Sequence, residues 1–350
     1  MGIKHLGQFL RELTPNVFKP LHISNYAYKK IAVDTSIYIY KFKILYNDNW
    51  LTSFFNMIVS LRKHRVHPVF VYDNGTVSEK TKEKQLRSKK REDIALKAYT
   101  LSQSLDSYIA TNQIDTILSD FISKRQAPRR LLSTSTIINI DYLRTEIDKL
   151  KSQCVKITDT DIQSSKQLLT HMQIPYCNAV LEAETTCVEL YKKNLVSGIL
   201  SEDTDLLAYG VDYVSSYDSK DGMCVHVDYK QILHDLKLTD DEFLDFCIMC
   251  SCDYNTNIPK IGPKNAYKLI EKFRTIDNVR ELGKVDTSVL NHERIRDIFR
   301  KYAKSRIARI RYCGIKPNID GIKQLGCNTS LLSQIPHCNV TIDSNNSNSD

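Results

Sequence analysis

Seven acids stand out by position: Asp34, Asp73, Glu182, Glu184, Asp203, Asp205 and Asp253. Asp34 ends the run Lys30-Ile-Ala-Val-Asp34, Asp73 ends Pro68-Val-Phe-Val-Tyr-Asp73, and Asp203 and Asp205 follow Gly198-Ile-Leu200. Each short apolar run reads as a buried parallel strand, and acids at the carboxyl ends of such strands converge on one crevice. Glu182 and Glu184 open a predicted helix that enters the same region, and Asp253 follows a helix ending near Ser251. Read singly, any of these acids is a helix cap or a surface residue. Gathered in one cleft, they repel one another and stay partly protonated unless cations neutralise them. Hard oxygen ligands select Mg²⁺ or Mn²⁺. Two such ions about 4 Å apart clamp a scissile phosphate, so the expected chemistry is phosphodiester hydrolysis. Asp73 and Asp205 are the acids whose loss is expected to abolish it.

The elements that must position these acids are visible in the apolar spacing. Phe54, Phe55, Ile58 and Val59 give residues 51–63 a helical period, which joins the first two strands into a strand-helix-strand unit. Residues 79–124 are polar with helical spacing and read as helices with little core of their own. Pro128 breaks the chain, residues 142–150 and 161–172 are predicted helical, residues 174–179 extended, and residues 182–193 helical. Further strands are expected at 211–217 and 224–227. From Asp240 to about Tyr312 the pattern is helical throughout, and the polar tail 343–350 is expected to be disordered. The fold class is α/β, with a mostly parallel central sheet flanked by helices.

Lys and Arg total 49 against 41 Asp and Glu, a formal charge of +8 that permits a polyanionic partner without demanding one. The cations are bunched. Seven fall between Lys80 and Arg91 against one acid, Glu83, and eight fall between Arg294 and Arg311. Either run could instead be a solvated helix face, and the first could be a nuclear-localisation signal. A second signal lies beside Asp253, in Ile258-Pro-Lys-Ile-Gly-Pro-Lys-Asn-Ala-Tyr-Lys-Leu-Ile270. There a turn carrying Gly262 feeds a helix start whose free N–H groups can hold a phosphate, with Lys260, Lys264 and Lys268 adding charge. This has the form of a helix-hairpin-helix that grips duplex backbone without reading bases, the bland alternative being an ordinary αα-hairpin. Cys247, Cys250 and Cys252 raise a zinc reading, but no second CxxC or His pair completes a tetrahedral set. No apolar run reaches the roughly 18 residues of a membrane-spanning helix, and the N-terminus has no signal-peptide core, so an intracellular protein without a membrane partner is expected.

On these motifs the chain resembles the flap endonuclease and XPG-like 5′ nucleases. The similar segments are Met1-Gly-Ile-Lys-His-Leu6, Ile31-Ala-Val-Asp34 with Tyr38 and Tyr40, Val69-Phe-Val-Tyr-Asp73, Glu182-Ala-Glu184, Glu202-Asp-Thr-Asp205, and Cys252-Asp-Tyr254 leading into the hairpin. They span roughly residues 1–280. The resemblance implies a PIN-like core with a helical gateway and cap and a helix-hairpin-helix of the helix-two-turn-helix (H2TH) type. It further implies that the seven acids bind two Mg²⁺, for which Mn²⁺ can substitute. Lys80 and Arg87 would contact the scissile phosphate, and Tyr40 would stack on the neighbouring base. Gly2, Lys260, Gly262 and Lys264 would contact DNA, and the carbonyls of Asn257, Ile258 and Ile261 would hold K⁺. The implied activity is a 5′-flap endonuclease with 5′-3′ exonuclease action on branched or flapped duplex DNA, in replication, repair or recombination. The implied protein is a monomer in the nucleus, or at the site of viral DNA replication for a viral member.

Three positions depart from the family pattern. Asn74 stands where Gly is usual, Ser251-Cys252 replaces Gly-Ser, and the interval from Asp73 to Glu182 is longer than in compact members. No sliding-clamp motif is recognisable. The expected division is a nuclease segment at 1–79, gateway and cap at 80–160, a second nuclease segment of the same core at 161–239, the DNA-binding hairpin region at 240–312, and an extension at 313–350. Processive 5′ exonuclease, gap endonuclease, junction resolvase, PIN-type ribonuclease and a non-catalytic junction-binding scaffold stay open as alternatives.

Overall fold

The computed structural model describes residues 2–126, 139–283, 285–301 and 304–336. Pro128 and the polar tail from Asp343 lie outside them. The elements of the first half are α1 (Leu6–Leu13), β1 (Phe18–His22), β2 (Lys30–Asp34), α2 (Thr35–Tyr46), α3 (Trp50–Lys63), β3 (His67–Tyr72), α4 (Thr81–Thr111), α5 (Thr116–Gln126), α6 (Ile140–Ser152) and α7 (Asp159–His171). Then come β4 (Tyr176–Asn178), α8 (Ala183–Lys192), β5 (Ile199–Leu200), α9 (Asp205–Ala208), β6 (Tyr213–Ser215) and β7 (Met223–Val227). The remainder is α10 (Tyr229–Leu236), α11 (Asp240–Cys250), α12 (Pro263–Phe273), α13 (Ile276–Glu281), α14 (His292–Arg300) and α15 (Ile319–Gln324).

The seven strands form one sheet in the order β1-β7-β6-β5-β2-β3-β4. From β6 to β4 every pairing is parallel, and β7 and β1 add an antiparallel edge. Strand β2 pairs with β3 on one side and β5 on the other, so its Ile31-Ala-Val33 run is buried on both faces and has no polar alternation. Two cores follow from the two faces. One joins β2 and β3 side chains to α1, α8 and the helices α9 to α14; the other joins them to α2, α3, α7, α15 and the chain around Cys313 and Leu332. Helix α4 contributes Ala98, Leu101 and Leu105 to a third, separate cluster with α5 and α6. The helices after Lys80 therefore do carry a small core, because α4 is long enough to reach partners that its polar first half does not signal.

The region expected to be helical to Tyr312 stops at Arg300, and residues 304–313 follow the base of the sheet without forming a helix or strand. Side chains there satisfy the backbone in place of helical bonds. Glu189 accepts from the Ser305 N–H (2.7 Å), and Lys30 Nζ donates to the Ile310 carbonyl (2.7 Å). Residues 313–336, expected as an extension, are packed, with Cys313, Ile322, Cys327 and Leu332 in the second core.

An ionic knot holds the hairpin region together. Asp245 on α11, 2% exposed, receives a fork from Arg296 on α14 (2.7 and 2.6 Å) and the Ile276 N–H of α13 (2.9 Å). Arg296 also reaches Asp277 (2.8 Å). Burial works against the Asp277 charge, but hydrogen bonds from His292 and Arg296 outweigh it and hold the carboxyl down at about 2. That stabilisation is complete above the ordinary carboxylate range and is lost as pH falls through about 2. Removing Arg296 would leave Asp245 a buried, unpaired charge. Arg296→Ala is expected to cost about 3 kcal/mol in urea denaturation; a loss below 1 kcal/mol would show that the knot is not a stabilising element.

Candidate active site

The chain places its acids by ending strands and starting helices at one edge of the sheet. Asp34 is the last residue of β2 and the cap of α2; Asp73 directly follows β3. Asp203 follows β5, and Asp205 is the first residue of α9. Glu182 caps α8, whose first turn carries Glu184, and Asp253 lies beyond the end of α11. Asp34, Asp73, Glu182, Glu184, Asp203 and Asp253 line a single pocket of about 480 Å³. Carboxylate oxygens of Glu184, Asp203 and Asp205 lie within 4.8 Å of one another. All seven acids singled out from the sequence are thus brought together.

Several are fixed by hydrogen bonds. Ser36 donates to Asp73 (2.6 Å), whose other oxygen accepts from the Ala183 N–H (2.8 Å). Ser201 donates to Asp34 (3.3 Å), the Asp205 N–H to Asp203 (2.9 Å), and the Tyr254 hydroxyl to Glu182 (2.7 Å). Asp205 is different. It is fully buried, and neither of its oxygens has a hydrogen-bond partner among the described residues. Burial pushes its carboxyl well above the ordinary range, with Asp203 adding repulsion. Burial does the same to Asp34, reinforced by Asp73 and Asp203, and to Glu184, reinforced by Asp203 and Asp205 against the pull of Lys80. Orphaned oxygens in an all-carboxylate site fit hard divalent cations, whose charge would relieve the repulsion.

The positive charge in the pocket comes from α4 and its entry turn. Lys80, 8% exposed, sets its ammonium 3.0 Å from Glu182, 3.5 Å from Asp253 and 3.9 Å from Glu184. Burial opposes that charge, but the carboxylates of Glu184, Glu182, Asp205 and Asp253 win and hold Lys80 protonated well above the ordinary lysine value. Arg87 pairs with Asp253 and with Glu83 (3.0 Å). Lys84 and Arg91 line the same pocket. These two went unassigned from sequence, although 80, 84, 87 and 91 fall on one helical stripe, which is the signal that finds them. Tyr40, half-buried on α2, is also in the pocket wall.

Gly2 sits behind the acids. Its φ is +82°, and a Cβ there would come within 2.1 Å of an Asp203 oxygen and 2.8 Å of the Asp205 nitrogen. Two residues on, the Lys4 N–H donates to the Ser251 carbonyl (3.0 Å), so the N-terminal segment ties the Asp203–Asp205 turn to the loop that carries Asp253. Gly2→Ala meets both a disfavoured backbone conformation and a clash with the Asp203–Asp205 turn. We expect it to weaken Mn²⁺ binding by about tenfold, read by calorimetry; unchanged affinity would mean that the loop tolerates the shift.

The hairpin residues stand apart from the acid pocket. Gly262 caps α12 with Pro263 at the first helical position, and nothing lies within 4 Å of where its Cβ would be. Lys260 is exposed and adopts a left-handed conformation, and Lys264 pairs with Glu12 of α1 (2.8 Å). The Asn257 side-chain oxygen is buried without a partner, while the Ile258 carbonyl accepts from the Ile261 N–H (3.1 Å). Cys247, Cys250 and Cys252 are buried in the core with thiols pushed up by burial.

Two family models match the chain: the XPG N-terminal domain over residues 1–94 and the XPG I-region over residues 173–253. The probable RAD2-like endonuclease 369L of Invertebrate iridescent virus 6 is 35% identical over 339 residues, covering 88% of this chain and 81% of that protein. The chain belongs to the XPG family of structure-specific 5′ nucleases. Flap endonuclease 1 of Aedes aegypti is similar to this XPG-family nuclease at 30% identity over 298 residues, covering 80% of the chain and 69% of the mosquito protein. Among solved structures, the catalytic core of Rad2 in complex with DNA substrate superposes with a TM-score of 0.64 at 18% identity, covering 95% of this chain and all of that one. A flap endonuclease-1 from Methanococcus jannaschii gives 0.60 at 20% identity, covering 96% and 98%. At such identities these two likenesses establish the fold, which is the one expected of an XPG-family nuclease.

Proposed function

We propose that the XPG-family chain cuts DNA at the base of a 5′ flap and has associated 5′-3′ exonuclease action, the seven acids binding two Mg²⁺ or Mn²⁺. The observation that carries the metal reading is Asp205, buried with two unpartnered oxygens among other carboxylates. When bound, such ions supply Lewis-acid stabilisation of the phosphate and its leaving oxygen. The chain's own part is positional. Lys80 and Arg87 bring charge to the scissile phosphate from α4, Tyr40 stacks on the adjacent base, and the acids hold their oxygens fixed through Ser36, Ser201, Tyr254 and backbone N–H groups.

Residues 80–160 serve as the gateway and cap, the hairpin within residues 240–312 grips duplex backbone through Lys260, Gly262 and Lys264, and the protein acts as a monomer. K⁺ at the hairpin is supported by the unpartnered Asn257 oxygen, with the carbonyls of residues 257, 258 and 261 as ligands. Similarity to iridescent-virus proteins supports action at a site of viral DNA replication. A scaffold without turnover has no use for so many repelling acids. One gel assay decides: labelled flap, nick, gap and four-way-junction substrates are incubated with Mg²⁺ or EDTA. The flap is expected to be cut fastest and only with metal. Metal-independent cutting would overturn the two-ion reading, and preference for another substrate would overturn the flap assignment.

A further inference from the structure

The eight cations from Arg294 to Arg311 divide sharply into two groups. The first four are spent on protein. Arg294 pairs with Glu79 (2.6 Å), Arg296 with Asp245 and Asp277, Arg300 with Asp240 and Asp241 (3.1 Å to the latter), and Lys301 with Asp297 (2.9 Å). The next four, Lys304, Arg306, Arg309 and Arg311, are all exposed and make no ion pair among the described residues. They lie on a strap of irregular backbone, 304–313, which is fastened to the base of the sheet, the edge opposite the acid pocket. Glu189 holds it at Ser305, Lys30 holds it at Ile310, and the Cys313 N–H donates to His67 Nδ1 (3.3 Å). Lys30 and His67 are the first residues of β2 and β3, whereas Asp34 and Asp73 lie at their far ends.

The strap's burial alternates with its charge. Ser305, Ile307, Ile310 and Cys313 turn inward, and the four cations take outward positions between them. Glu189, the acid that bonds the strap among the described residues, is already neutralised by Lys193 (2.6 Å). Exposed Tyr312 closes the row, its ring over the Lys30 ammonium (4.3 Å). A row of exposed cations on a nuclease, without an ion-pair partner among the described residues, fits a phosphodiester backbone.

We propose that this strap is a second DNA-binding surface, engaging the backbone of a DNA segment separate from the one held at the acid pocket. The two surfaces lie at opposite ends of the parallel strands, so one molecule can hold two DNA segments at once. The strap acts by charge alone and takes duplex without regard to sequence.

Bridging tests this directly. Bead-bound flap DNA is loaded with the full-length protein in EDTA, and a fluorescent 40-base-pair blunt duplex is then offered. The unaltered protein is expected to capture it, and a variant carrying Ala at 304, 306, 309 and 311 to lose at least about tenfold of that capture while still binding the beads. A charge-matched control with Ala at Lys220, Lys230, Lys237 and Lys323 is expected to capture normally. A milder pair, Arg306→Gln with Arg309→Gln, gives an intermediate loss and covers misfolding of the fuller variant. Failure of the unaltered protein to capture, equal capture by the strap variant, as through self-association, or equal loss by the control each overturns the proposal.

Discussion

Asp205→Asn is expected to abolish flap cutting and, in the same protein, to raise the melting temperature measured in EDTA. The first effect follows from the proposed role. Asp205 is the acid whose oxygens have no protein partner, so a neutral amide removes a ligand that nothing nearby replaces. A loss of about 4 kcal/mol of transition-state stabilisation is roughly a thousandfold in rate. The second effect follows from burial. The Asp205 carboxyl is raised well above the ordinary range, so the folded protein keeps its proton where the unfolded chain gives it up. Stability is therefore lost as pH rises from the ordinary carboxylate range through the raised folded value. Asparagine does not titrate. The stability gap between variant and parent should widen as pH rises across that interval and close when divalent metal is added to the parent. Retained cutting would remove Asp205 from the site, and a gap flat in pH would mean that the carboxyl is not strained.

The same residue illustrates what was legible in the sequence. Asp34, Asp73 and Asp203/Asp205 were found because a buried parallel strand has a recognisable apolar run and a defined carboxyl end. Topology then converts adjacency in the sheet into convergence in space. Glu182, Glu184 and Asp253 come from elements the same reasoning could place near that edge. Less legible were the elements whose local preferences disagree with their context. Thr35–Tyr46 is helical although Ile37-Tyr-Ile-Tyr40 is rich in strand formers, because its buried face packs on the second core beneath Asp34. Strand β1, Phe18-Lys-Pro-Leu-His22, carries a proline and a lysine and survives only as an edge partner of β7.

The strap is the plainest case of information absent from the local sequence. Residues 304–313 share the basic, interrupted apolar pattern of the helix before them. What holds them out of a helix is a set of partners contributed by Lys30, His67 and Glu189, which lie more than a hundred positions away. The Lys80 register shows the converse. Asn74 replaces a usual glycine, yet its N–H and that of Gly75 both donate to the Leu181 carbonyl (2.9 and 3.0 Å), and the turn still delivers Lys80 and Arg87 to the acids. The backbone closes that turn whatever the side chain at position 74.

Lys80→Ala makes the remaining prediction, and its three consequences run in different directions. In the unliganded protein the Lys80 ammonium lies within 4 Å of Glu182, Glu184 and Asp253, so it is the counter-charge that lets those acids share a pocket. Removing it leaves buried carboxylates without compensation, and the variant should lose about 3 kcal/mol of stability in EDTA. Divalent cations held as proposed would compete with that ammonium for the same oxygens. With the lysine gone, Mn²⁺ should therefore bind the variant more tightly than the parent, and saturating metal should restore its melting temperature. The single-turnover cutting rate should nonetheless fall by about a hundredfold, since a preorganised donor to the scissile phosphate is worth roughly 3 kcal/mol and metal cannot replace it there. A residue that merely stabilised the fold would lose rate and stability together and recover both with metal. Tighter metal binding joined to an uncorrected rate is the pattern that separates a phosphate-contacting lysine from a structural one.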